Sequence, residues 1–374
     1  MQSALVAALT AWSVEGLPEN PAAWLYRVAQ NRLIGDLRRT ADRARILETN
    51  LGENDEDGFV EPHFADEMRD DLLRMLFVCC DDAIPYESRL VLALKTLCGF
   101  STGEIALRLF TTEANVFKRL GRARERLRES PPNMETPPPD ELRSRLPSVH
   151  AVLYVLFNEG YLSSHAERAI RQELCEEAIR LATLLAEAPV GAVPETFALL
   201  ALMNFHAARL PARIDGMGHA LLLEEQDRSL WDRERLGLAS QWLARSASGE
   251  AFSRFHAEAA IAAEHCFAPS FRDTRWKEIA DLYSILERIV PSPLNTLNRA
   301  VAVAELQGPA AGLAVLEGLV RPQWLEDSYL WDAVFADLHL RAGNLELARR
   351  HAKRALEAAP TAPVRDLLRR RLGM

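Results

Sequence analysis

Apolar and polar positions recur with the period of a helix in successive blocks of this chain, and from about Leu142 to the end they do so almost without interruption and without convincing strands, so an all-α fold is expected. The sharpest pattern lies at residues 100–128, FSTGEIALRLFTTEANVFKRLGRARERLR. Ser101 followed three residues later by Glu104 is a capping-box signature, and Ile105, Ala106 and Leu109 then share one face, which predicts a helix start. Thr111 or Thr112 caps a second helix. On that helix Val116, Leu120, Ala123 and Leu127 fall along one stripe, while Asn115, Lys118, Arg119, Arg122 and Arg126 gather on roughly the opposite side. Ala106 and Val116 suit the points where such helices touch, and Phe110 stands where the turn most often carries glycine. This is the pattern of a helix-turn-helix. Its cations would neutralise phosphates and set register, and base reading would fall to Thr112, Glu113, Asn115, Lys118 and Arg119 near the start of the second helix. Spacing leaves open which of them touch bases.

A second periodic block, NPAAWLYRVAQNRLIGDLRR at residues 20–39, opens with Pro21 in the first turn. Trp24, Leu25, Val28, Ala29 and Leu33 form its apolar stripe, and Arg27, Asn31, Arg38 and Arg39 leave it. Between the blocks the chain turns acidic, from Glu48 to Asp71, with few large apolar residues, as a solvated linker would be. From Asp71 apolar periodicity resumes, with Leu72, Leu73, Met75, Leu76 and Phe77, then Leu90, Val91, Leu94 and Leu97. After Arg128 the stretch ESPPNMETPPPDE is expected to sustain neither helix nor strand and to mark a domain boundary. Helical patterns then run to the end. In ADLHLRAGNLELARRHAKRALEAAP the positions Ala336, Gly343, Ala348, Ala352, Ala355 and Pro360 match the small-residue pattern of a tetratricopeptide-like helix pair, with LNRAVAVAELQGPAAGLAVLEGLV before it as another.

The block PxxWLYRxAxNRxxxxxRR followed by an acidic spacer and a helix-turn-helix resembles regions 2 and 4 of the extracytoplasmic-function sigma factors of the sigma-70 family. Residues 152–164 and 213–234 resemble blocks of the C-terminal extension of one subgroup, so the likeness covers nearly the whole chain. The resemblance implies the following domains: residues 1–46 a partial region 2 for the −10 element, 47–70 the acidic linker, 71–130 region 4 for the −35 element, 131–141 a proline-rich linker, and 142–374 a regulatory extension. It implies that the loop ending at Asn20 captures a flipped base, that Asn31, Arg32, Arg38 and Arg39 grip the melting DNA, and that Trp24 stacks on bases or packs in the core. Polymerase contact is implied at Gln2 and Leu5, within residues 2–12, which correspond to the end of the clamp-docking helix; region 2 is expected to lack its N-terminal part. Promoter DNA, core RNA polymerase and a regulatory protein held by the extension are the implied partners.

Composition narrows this further. The 374 residues are 48% hydrophobic, enough for more than one core, and the net charge of −9 confines DNA contact to local patches. Five cysteines form neither CxxC pairs nor metal-ligand spacing, no leader or membrane-spanning run is evident, and reduced thiols in the cytoplasm are expected. Glu224, Glu225, Asp227 and Asp232 with His219 and Arg228 hold groups able to do acid–base work, but no nucleophile or metal spacing accompanies them, and a salt-bridge network is the reading adopted. No catalytic residue, metal or cofactor is expected. The chain is thus read as a sigma factor with a regulatory extension whose helix-turn-helix folds without that extension. The alternative is a helix-turn-helix regulator with a solenoid interaction domain that never binds polymerase.

Overall fold

The computed structural model describes residues 70–129, 137–163, 170–216 and 219–373. The expectations for residues 1–69, which include Gln2, Leu5, Asn20, Trp24, Asn31, Arg32, Arg38, Arg39 and the acidic spacer before Asp70, lie outside the described residues. Fifteen α-helices and four short 3-10 turns carry the described chain, with one isolated bridge between Ile214 and Ala220 and no strand among the described residues. The fold is all-α.

Helices α1 (Asp71–Cys79), α2 (Tyr86–Thr96), α3 (Thr102–Arg108) and α4 (Glu113–Glu129) form the helix-turn-helix and its scaffold. Asp70 caps α1, its carboxylate accepting from the N–H groups of Leu72 and Leu73 at 2.9 and 3.0 Å, and it also pairs with Arg180 at 2.7 Å. Burial would raise that carboxyl's pKa, but Arg180 and the two amides outweigh it and hold it below the usual range.

Helix α5 (Pro139–Tyr161) follows. Three residues assigned to the proline-rich stretch, Pro139, Asp140 and Glu141, are in fact its first turn. Proline at the first helical position has no N–H to lose and its φ is preset, and the two acids favour the positive helix end. Leu142, Leu146, Val149, Leu153 and Leu156 recur at spacings of four and three, all buried, so one face of α5 lies in the core along its length.

That face packs on both sides of the expected boundary. Helix α5 lies against α1 and α2, and one apolar core runs from Leu72 to Cys266 through α6 (Gln172–Glu187), α7 (Pro194–Ala207), α8 (Arg233–Ser246) and α9 (Arg254–Phe267). Buried Arg145 stitches the junction, donating to the Phe77 carbonyl at 3.2 Å and pairing with Asp81 at 2.6 Å. Residues 131–141 therefore do not separate two cores. Gly160 lets α5 and α6 cross closely, since a Cβ there would stand 2.7 Å from the Cys175 nitrogen and sulfur.

The chain continues through α10 (Trp276–Ile289), α11 (Pro293–Gln307), α12 (Pro309–Val315), α13 (Tyr329–Arg341), α14 (Leu345–Glu357) and α15 (Ala362–Leu372). Ala336, Ala348, Ala352 and Ala355 are buried at the seam of α13 and α14, and Gly343 takes φ +80° in the turn between them. Pro360 is exposed just after α14.

Candidate nucleic-acid interface

The capping box forms as the sequence predicts. The Glu104 amide donates to Ser101 Oγ at 3.1 Å, and the Ser101 amide donates to the Glu104 carboxylate at 2.7 Å. Ile105 and Ala106 are buried, with Leu109 packed at the core's edge. Thr112, rather than Thr111, caps α4, its Oγ1 accepting from the Asn115 amide at 3.3 Å. Val116, Leu120 and Ala123 are buried and Leu127 is half-buried, so the apolar stripe fixes how α4 lies on α2 and α3.

Around α4 the expected contact residues divide. Lys118 and Arg122 are exposed, and neither has an ion-pair partner among the described residues. Arg126 is exposed and pairs with Glu129 at 2.9 Å. Thr112, Glu113 and Asn115 are exposed at the start of the helix. Glu113 accepts from Thr102 Oγ1 at 2.7 Å, and Asn115 donates to Thr111 Oγ1 at 3.3 Å, so both are oriented by the neighbouring turn.

Arg119 departs from the expected outward placement. At 100° per residue it falls about 70° from the centre of the apolar stripe, against about 170° for Lys118 and about 130° for Arg122. Its side chain is 20% exposed and reaches back to Glu87 on α2 at 2.5 Å.

Sequence reasoning passed over Phe117. It is 60% exposed among the cations of α4, next to Lys118. The signal was present, because Phe117 falls outside the stripe of Val116, Leu120 and Ala123 and has no other apolar face to join.

Phe110 takes φ +48° and is the non-glycine residue with positive φ among the described residues, at the turn position where this motif most often carries glycine. Its ring meets Trp324 edge-on at 5.1 Å. Helix α3 is fastened to the extension as well. Arg108 on α3 donates Nε–H to the fully buried Glu159 at 2.5 Å and a second N–H to the Leu162 carbonyl, and Arg171 pairs with Glu104 at 3.0 Å. Sequence spacing gave no sign of these contacts, whose partners lie 51 to 67 residues apart.

The acidic cluster after residue 213 is engaged structurally. Glu224 pairs with Arg371 at 2.6 Å, Glu225 accepts from the Leu222 amide at 2.7 Å, and Asp227 and Asp232 cap the turn at Arg228–Leu230 and α8. His219 meets Asp215 at 3.1 Å. No group of three or more His, Cys, Asp and Glu able to hold a metal occurs among the described residues. All five cysteines are free; burial pushes Cys79, Cys98 and Cys175 up to about 12 and Cys266 to about 11, so they stay as thiols at neutral pH. No helix among the described residues is long and apolar enough to cross a membrane.

Comparison with known proteins agrees with the motif. Residues 75–127 match the sigma-70 region 4 family, and residues 145–247 match a family of unknown function, DUF6596. An uncharacterized protein of Rhizobium meliloti (strain 1021) is 38% identical over 323 residues, which cover 85% of this chain and 76% of that protein. No solved structure matches the chain.

Proposed function

The chain belongs to the same family as that Rhizobium meliloti protein and carries a sigma-70 region 4 domain, and on this premise we propose that it is a sigma factor of the extracytoplasmic-function type. In this reading it works in the cytoplasm, joins core RNA polymerase, reads the −35 element with α4 and opens the −10 element with residues 20–39. It lends recognition and melting to polymerase and makes or breaks no covalent bond itself.

The observation that carries the reading is the outward face of α4 on a capped, core-anchored helix-turn-helix. Lys118 and Arg122 take phosphates, and Thr112, Glu113 and Asn115 stand where a recognition helix meets base edges. Phe117 adds an apolar surface suited to a thymine methyl group. Residues 142–374 form the regulatory extension, and the alanine seam of α13 and α14 supports a tetratricopeptide-like solenoid there. Because the extension grips α3 and its turn through Glu159, Arg171 and Trp324 while Lys118 and Arg122 stay exposed, it can set the position of region 4 without covering the recognition face.

Core RNA polymerase mixed with the full chain and chromatographed by size should carry the chain with it, and the complex should start transcripts at a cognate promoter. A chain that binds promoter DNA yet never co-elutes with core polymerase nor supports initiation would establish the alternative, a regulator independent of polymerase.

A further inference from the structure

We propose that the extension holds a binding site for a small phosphate-type dianion, built on Arg209, Arg213 and Arg228 with His206 and His265 as further donors. Arg209 and Arg213 are 8% and 9% exposed, and Arg228 is half-buried. The Arg213 guanidinium lies over the Tyr161 ring at 3.7 Å and donates from Nη1 to the Tyr161 carbonyl at 2.9 Å; its buried Nε–H has no acceptor. The Arg228 guanidinium lies over the Trp231 ring at 4.4 Å and donates from Nη1 to the carbonyls of His265 and Ala268, both at 2.8 Å; its buried Nη2 has no acceptor. Arg209 approaches the same Trp231, with its Cζ 5.8 Å from the ring centroid, and donates Nε–H to Gln226 at 3.5 Å. Both histidines keep a buried Nδ1 without a partner.

None of the three arginines has a carboxylate at ion-pair distance among the described residues. Asp273, the acid whose charge Arg228 feels, is hydrogen-bonded to Ser270. Elsewhere the chain pairs its enclosed guanidinium groups: Arg145 with Asp81 at 2.6 Å, Arg108 with Glu159 at 2.5 Å, Arg321 with Asp332 at 2.7 Å and Arg371 with Asp337 at 3.0 Å. A buried cation without a counter-ion is costly, and several within reach of one another repel as well.

The histidines report this potential. Burial, then Arg209 and Arg213, push His206 well below its ordinary value, and burial, then Arg209 and Arg228, push His265 down to about 4. Both are therefore neutral at pH 7, each with one N–H to direct at a ligand. Guanidinium forks match the oxygens of a tetrahedral oxyanion, and a dianion offsets more of the three positive charges than a monoanion does. A phosphoryl group has the matching charge and geometry.

Isothermal titration of the full chain with inorganic phosphate, and separately with glycerol phosphate, against chloride at equal ionic strength tests the site. Saturable binding of either is expected, the tighter one telling free phosphate from a phosphorylated metabolite as the natural source. Arg209→Met and Arg213→Met should each weaken it at least tenfold. Arg228→Met, at the less buried position, serves if the other two do not fold. Arg209→Met should also melt no lower than the unchanged chain in phosphate-free buffer, because it removes an unpaired buried charge. Absence of saturable binding by the unchanged chain, or binding undiminished in the folded variants, overturns the proposal.

Discussion

Phe110 shows how one residue can hold an unfavourable conformation because its surroundings fix it. An L side chain in the left-handed region costs about 1 kcal/mol relative to glycine. The ring's edge contact with Trp324 offsets part of that. Phe110→Gly and Phe110→Ala both lose the ring, and only glycine relieves the backbone, so the glycine variant should be more stable than the alanine variant by about 1 kcal/mol in urea melts. Equal stabilities would mean that the turn relaxes to another conformation when the ring is gone. His150 supplies a second residue-scale test. It is fully buried, its Nε2 lies 2.8 Å from Thr196 Oγ1, and burial lowers its pKa from 6.5 to about 4. The unfolded chain therefore takes up a proton that the folded chain refuses. The stability this histidine provides is present above pH 6.5 and is lost as pH falls toward 4, by about 3 kcal/mol at most. His265, lowered to about 4, acts in the same direction. Urea midpoints measured at pH 7.5, 6 and 5 should fall steadily, and less steeply in His150→Gln.

On the recognition helix, angular position decides what each cation does. Arg122 stands well away from the apolar stripe and is exposed, whereas Arg119 borders it and is held by Glu87 on α2. Arg122→Ala should weaken promoter binding and reduce the log–log salt slope by about 0.9, the share of one phosphate contact. Arg119→Ala should leave that slope nearly unchanged in the same fluorescence-anisotropy titration. A full unit of slope lost in the Arg119 variant would show that its pair with Glu87 opens when DNA binds.

At the scale of the described molecule, the long α5 helix makes the helix-turn-helix and the extension as far as α9 share one core. A chain ending near residue 141 would uncover the apolar surface of α1 and α2 and lose Glu159, the partner of Arg108. The sequence-based expectation that the helix-turn-helix folds without the extension is therefore replaced. Residues 70–141 alone should show a weak or non-cooperative unfolding transition by circular dichroism, while a piece reaching through α9 should unfold cooperatively. In the full chain, Glu159→Ala should cost about 3 kcal/mol, since it leaves the Arg108 guanidinium without its buried carboxylate. A loss under 0.5 kcal/mol would place that pair at the surface energetically.

What the sequence determined by itself was local. Capping at Ser101, a cap at Thr111 or Thr112, the stripe of Val116, Leu120 and Ala123, and the alanine pattern around Gly343 depend on residues within a few turns of one another, and helical period exposes them directly, whereas the structure chose Thr112. The cationic face of α4 was legible for the same reason, and Arg119 was misplaced because it borders the stripe and only a neighbouring helix decides which way it turns. The proline-rich stretch looked like a boundary because proline breaks helices from within, yet at the first position it starts one. The shared core, the grip of Glu159 and Trp324 on the motif, and the arginines gathered without acids are products of tertiary structure alone. Their partners come from helices far apart in the chain, and no periodicity records which side chains such helices bring together.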